Sequence, residues 1–129
     1  MAARTTFESY AYAALRIVTG FLFLFHGLQK LFGMYGGQAM PLISRAGAAG
    51  MIELVGGVFV MLGLFTSPVA FICSGEMAFA YFLAHAPNGF WPIVNRGELA
   101  VFYCFVFLYI SARGAGPLSL DRIIRGKKG

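Results

Sequence analysis

The chain has 129 residues, of which 59% are hydrophobic and only 12% charged, and its formal net charge is +5. Average soluble chains carry about 25% charged residues, so ten basic and five acidic side chains cannot clothe a globule of this size in a water-facing skin. This excludes an ordinary soluble domain, and the length allows one domain, residues 1–129, with lipid as its solvent.

In chain order, four apolar runs cover residues 10–32, 47–65, 69–86 and 99–112. The first three hold 23, 19 and 18 residues, close to the ~20 that cross a hydrocarbon core at 1.5 Å per residue. The fourth holds 14 and reaches only about 21 Å into a core of roughly 30 Å. Before it lies residues 87–97, with Phe90, Trp91 and Pro92. This segment is read as dipping into the interface, where Trp is favoured and Pro sits outside regular helix. No run alternates polar with apolar residues as a barrel strand must, and backbone groups in lipid must be satisfied within the segment. The expectation is an all-α integral membrane four-helix bundle. No small-residue cleavage site follows Phe21–Phe25, so the first run is expected to be retained.

Four crossings place both termini on one side. That side carries Arg4, Arg113, Arg122, Arg125, Lys127 and Lys128, against Arg45 and Arg96 with Lys30 at a helix end on the other. Basic residues accumulate in the cytoplasm, which predicts cytoplasmic termini. In the basic tail, residues 113–129, Ser119 is positioned to cap a short helix through Arg122 and Arg125, with Leu120, Ile123 and Ile124 on the membrane and its cations on anionic lipid. The plainer reading of those cations is a topology determinant. Nucleic-acid binding fits poorly, because no folded basic surface is available to carry it. Cys73 and Cys104 fall inside apolar runs and read as small hydrophobes rather than a redox pair.

Charged groups in the runs are the candidate site, since each costs at least ~2.5–3.5 kcal/mol on insertion scales and such residues usually pair inside the bundle. They are Arg16, His26, Lys30, Glu53 and Glu76, with Glu98 at the mouth of the fourth run. At about 100° per residue, Arg16, Thr19, Gly20, Phe23, His26, Gly27 and Lys30 share a sector of about 120°. In the second run Ala46, Ala49, Gly50, Glu53, Gly56 and Gly57 do the same, a face small enough for close helix approach. Depth counting predicts an outer layer of His26 and Glu53, with Lys30 and Glu98, and an inner pair of Arg16 with Glu76. The inner pair suits a structural pin of register. His26 with Glu53 suits binding of an acidic group or passage of a proton. Phe102, Phe105 and Tyr109 follow Glu98 along one stripe, which offers an aromatic lining for a quinone-like ring or ordinary lipid contact.

Over nearly its full length the chain resembles the DoxX family of small bacterial membrane proteins. The residues that carry this are Arg16 with Gly20, FHGLQKLFG (Phe25 to Gly33), AAGMIELVGGVFVMLGLFT (Ala48 to Thr66), the segment around Glu76, NRGELA (Asn95 to Ala100) and GPLSLD (Gly116 to Asp121). Where the family often shows NGGE, this chain has Asn95-Arg96-Gly97-Glu98. The resemblance implies a multi-pass protein of the bacterial plasma membrane, related to a subunit of a thiosulfate:quinone oxidoreductase and to redox-stress complexes.

Two functional classes follow. The first is a membrane subunit or anchor of a quinone-linked oxidoreductase, with a redox protein as partner. The chain has no Cys/His cluster for a metal and no glycine-rich dinucleotide motif, so a diffusible cofactor or another subunit must carry the electrons. The second is a non-enzymatic module that binds or transports a small molecule or protons, which four helices would perform best as a homo-oligomer. A membrane scaffold, with charges that only organise folding, is the third.

Overall fold

The computed structural model describes residues 2–126, so Lys127 and Lys128 of the basic tail lie outside the described residues, as does the side chain of Arg4. A first segment free of proline forms α1, Ala2–Phe32, which begins eight residues before the apolar run. It stops at Gly33, whose φ of 69° is left-handed and whose N–H donates to Gln29 O at 3.0 Å. Helix α2 spans Arg45–Leu62, with the Ser44 hydroxyl accepting from Gly47 N at its start and Gly63 closing its end.

Helix α3, Thr66–Ala80, starts three residues before the expected 69. Pro68 lies in its first turn, where a missing N–H costs no helical bond. The cap comes from far along the chain. Phe65 supplies no side-chain cap, and the Asp121 carboxylate accepts from Phe65 N and Thr66 N at 2.9 Å and from Thr66 Oγ1 at 2.8 Å. Beyond Ala80 the helix runs on through a π turn, Tyr81–His85, and a tight turn, Ala86–Asn88.

The proline-containing connection then folds back around Asn95. Its amide donates to Gly89 O at 2.6 Å and to Tyr81 Oη at 3.1 Å, and its side-chain oxygen accepts from Gly97 N at 2.8 Å. Tyr81 in turn donates to Phe90 O. This arrangement holds the short helix α4, Pro92–Asn95. Helix α5 is Glu98–Arg113, and α6 is Leu120–Gly126, where Ser119 Oγ accepts from Arg122 N at 3.2 Å.

Among the described residues, three stretches are long and apolar enough to cross a membrane: Thr6–Phe32, Arg45–Leu62 and Thr66–Asn88. Helix α5 has 16 residues and spans about 24 Å. Helix α1 packs chiefly on α2, and α3 on α5, with α2 and α3 joining the two pairs. Glycine sets the first contact. A Cβ on Gly20 would lie 2.6 Å from Gly57 O, and one on Gly27 would lie 2.7 Å from Gly50 O, so the two backbones touch at both levels. Phe23, Tyr103 and Phe107 pack at ring separations of 4.6 to 5.8 Å and anchor the core that α1 shares with α5. Phe71, Phe79, Phe82, Phe102 and Phe105 all face outward, the pattern of a surface that lipid wets rather than water.

Candidate functional site

The glycine contact at Gly27 and Gly50 brings Lys30 of α1 over Glu53 of α2. Lys30 Nζ donates to Glu53 Oε2 at 2.5 Å, and the carboxylate is fully buried while the lysine side chain keeps 35% of its exposure. A buried carboxylate in a low dielectric needs such a partner, because its desolvation cost is otherwise several kcal/mol. Glu76 of α3 is the third member. Its carboxyl lies within electrostatic range of Glu53 and Lys30, and one oxygen of each carboxyl, Oε1, is buried without a hydrogen-bond partner.

The expected inner pair of Arg16 with Glu76 does not form. Arg16 is fully buried and turns toward the end of the molecule that carries the tail. Its guanidinium donates to Val60 O at 3.1 Å, Ala115 O, Pro117 O at 3.0 Å and Leu118 O at 2.6 Å. Val60 lies in the last turn of α2, where carbonyls lack intrahelical donors and favour a cation. Glu76 stands ten residues past Thr66, about 15 Å along α3, and so joins Glu53 instead.

His26 stays within electrostatic range of Glu53 and Lys30, its half-buried ring meeting Tyr103 edge-on at 6.0 Å, but Lys30 rather than His26 makes the ion pair with Glu53. Glu98 is exposed and, with Phe102, Phe105 and Tyr109, lines a shallow groove of about 530 Å³ along α5. Cys73 and Cys104 are both free thiols. Cys73 packs tightly against Gly56, and Cys104 O accepts from Ser74 Oγ at 2.7 Å.

The polar triad opens sideways. A cavity of about 830 Å³ lies between α2 and α3, with Lys30, Arg45 and Glu76 in its wall and Ile52, Phe71 and Phe79 among its apolar lining. This is within the ~300–1,000 Å³ of ligand-binding cavities, which pair an apolar lining with a few polar groups. Sequence periodicity gives no direct signal for the cavity, because Gly75 leaves it open by having no side chain: nothing lies within 4 Å of where its Cβ would stand. Among the described residues no group of three or more His, Cys, Asp or Glu is placed to hold a metal ion.

A Haemophilus influenzae protein of uncharacterised function is 43% identical over 122 residues, covering 89% of this chain and 91% of the relative. A Bacillus subtilis protein, CatD, whose name classes it provisionally as an oxidoreductase, is 29% identical over 121 residues, covering 88% and 87%. No solved structure matches the chain. The DoxX family model matches residues 11–86, from within α1 to just past the π turn, and so takes in Arg16, Lys30, Glu53 and Glu76. The chain is a member of the DoxX family of membrane proteins.

Proposed function

We propose that this protein is a multi-pass subunit of the bacterial plasma membrane, with four crossings and cytoplasmic termini, that serves a quinone-linked oxidoreductase by holding a lipid-soluble ring between α2 and α3. The observation that carries the reading is Glu76, which belongs both to the wall of the lateral cavity and to the buried carboxyl pair. The name of CatD points to the same class of chemistry, and the excess of cations beside the termini supports the orientation.

The residues present fit such a ring. Phe71 and Phe79 offer flat apolar contact, Lys30 offers a donor to a ring oxygen, and the free carboxyl oxygens offer a place for a proton. A quinone when bound supplies two-electron, two-proton chemistry, with electrons exchanged through a partner protein. Two carboxyls against one ammonium balance charge when they hold one proton between them. Glu76 then holds the shared proton and exchanges it with a ligand in the cavity, while Lys30 pairs with Glu53 and fixes its orientation. The apolar lining excludes water from this exchange.

A second reading rests on Arg45 and Lys30 in the same cavity: a non-enzymatic module that binds an acidic amphiphile by its carboxylate. Calorimetric titration of the purified full-length protein separates the two, with a one-isoprenoid benzoquinone and a medium-chain fatty acid as probes. The quinone reading expects ring binding that falls at least tenfold in Glu76→Gln and Lys30→Gln while far-UV circular dichroism is unchanged. Binding of the fatty acid alone favours the second reading. Ring binding indifferent to both substitutions, or absent from the wild type, overturns the first.

A further inference from the structure

The other end of the molecule carries a second polar concavity, independent of the redox reading. Ser9 in its wall and Lys30 in the lateral cavity are separated by about 30 Å along α1. The concavity has a volume of about 470 Å³, and Arg113, Arg122 and Arg125 converge on it with Ser9 and the backbone of Gly116 and Pro117. Arg113 is held in place: it donates to Tyr109 Oη at 3.1 Å, and its guanidinium lies 4.3 Å from the centre of the Tyr12 ring. Two acidic groups are near. Glu8 acts on Arg113 and Asp121 on Arg125. Three guanidiniums against these two carboxylates leave one positive charge in excess.

Arg122 also borders an apolar groove of about 460 Å³ formed by Met61, Leu62, Leu118, Leu120 and Ile123. Anion-binding and hydrocarbon-binding surfaces thus share one arginine. The apolar side chains around them are uncovered, with Leu118 and Ile123 each 64% exposed. An ion in water has no use for that groove. A molecule that joins a phosphate to an acyl chain satisfies both.

We infer that the C-terminal segment and α6 form a binding site for an anionic phospholipid, with the headgroup phosphate among Arg113, Arg122 and Arg125 and one acyl chain in the groove beneath Ile123. Arginine presents planar paired donors that match phosphate. Near an anionic surface each cation contributes about fivefold in affinity, hence roughly twenty-five-fold for Arg122 and Arg125 together.

Native mass spectrometry of the full-length protein, released from detergent with equimolar phosphatidylglycerol and phosphatidylcholine, tests this. The wild type is expected to retain phosphatidylglycerol selectively, and the double variant Arg122→Gln/Arg125→Gln to lose roughly twenty-five-fold in retention. The variant Arg96→Gln, at the opposite end, is expected to bind as the wild type does, whereas Arg122→Gln alone loses about fivefold. Equal retention of phosphatidylcholine overturns the site, and so does an equal loss in Arg96→Gln and Arg122→Gln. Complete competition by millimolar inorganic phosphate would show a free-anion site instead, and equally overturns the lipid.

Discussion

Replacement of Gly27 by alanine inserts one carbon where two helix backbones meet. That Cβ would stand 2.5 Å from Leu54 N, 2.7 Å from Gly50 O and 2.8 Å from Leu54 Cα, all main-chain atoms of α2 with no rotamer by which to yield. Ordinary contact begins at 3.4 Å, so the shortest of these must open by about 0.9 Å. Overpacking of this kind typically costs about 1–3 kcal/mol, or roughly five- to 150-fold in the folding equilibrium. Lys30 stands one turn further along the same face, so widening also draws Nζ away from Glu53 Oε2. The assay is equilibrium unfolding in mixed micelles of mild detergent and dodecyl sulfate, followed by far-UV circular dichroism. Gly75→Ala is the control, since open space surrounds its Cβ position, and its midpoint should hold or rise slightly through helix propensity. A wild-type midpoint for Gly27→Ala, or an equal loss in both variants, would refute the backbone contact.

Two further outcomes follow from the ends of the molecule. Burial pushes the Asp121 carboxyl up, but the hydrogen bonds from Thr66 and Phe65 and the charge of Arg125 together hold it below the ordinary carboxylate range. A depressed folded value means that its contribution is complete above the unfolded value of about 3.9 and is lost as pH falls through the folded value. Acid should therefore narrow the stability gap between wild type and Asp121→Ala below about pH 4, and a gap constant down to pH 2 would contradict the cap. At the other end, Arg96 occupies a left-handed conformation, φ 63°, which glycine adopts without strain. Arg96→Gly should raise stability by about 1 kcal/mol, and a lowered unfolding midpoint would show that the side chain does more there than tolerate its backbone.

The helical class and the α1–α2 interface were legible in the sequence because both depend on periodicity. Stepping along the helices puts Gly20, Gly27, Gly50, Glu53 and Gly57 on facing sectors, where the glycine contacts lie. Depth measured from residue 69 sets Glu76 too near the end of α3, because the helix begins at Thr66 under a cap 55 residues away, which leaves no local mark. Residue letters offer Arg16 a carboxylate, whereas its acceptors are main-chain carbonyls that every residue possesses. The lateral cavity has no signal in the sequence for a related reason: it depends on the separation of α2 and α3, which neither run specifies alone.

The Arg16 contacts also set an order in time. Three of its four acceptors lie 99 to 102 residues further along the chain, so α1 is synthesised, and enters the bilayer, long before they exist. Throughout that interval its guanidinium has no more than the Val60 carbonyl among its final partners, and a cation left in hydrocarbon stays costly. The first helix is thus completed by the last residues to be made: a chain that ends after α5 leaves its buried guanidinium with one of four acceptors.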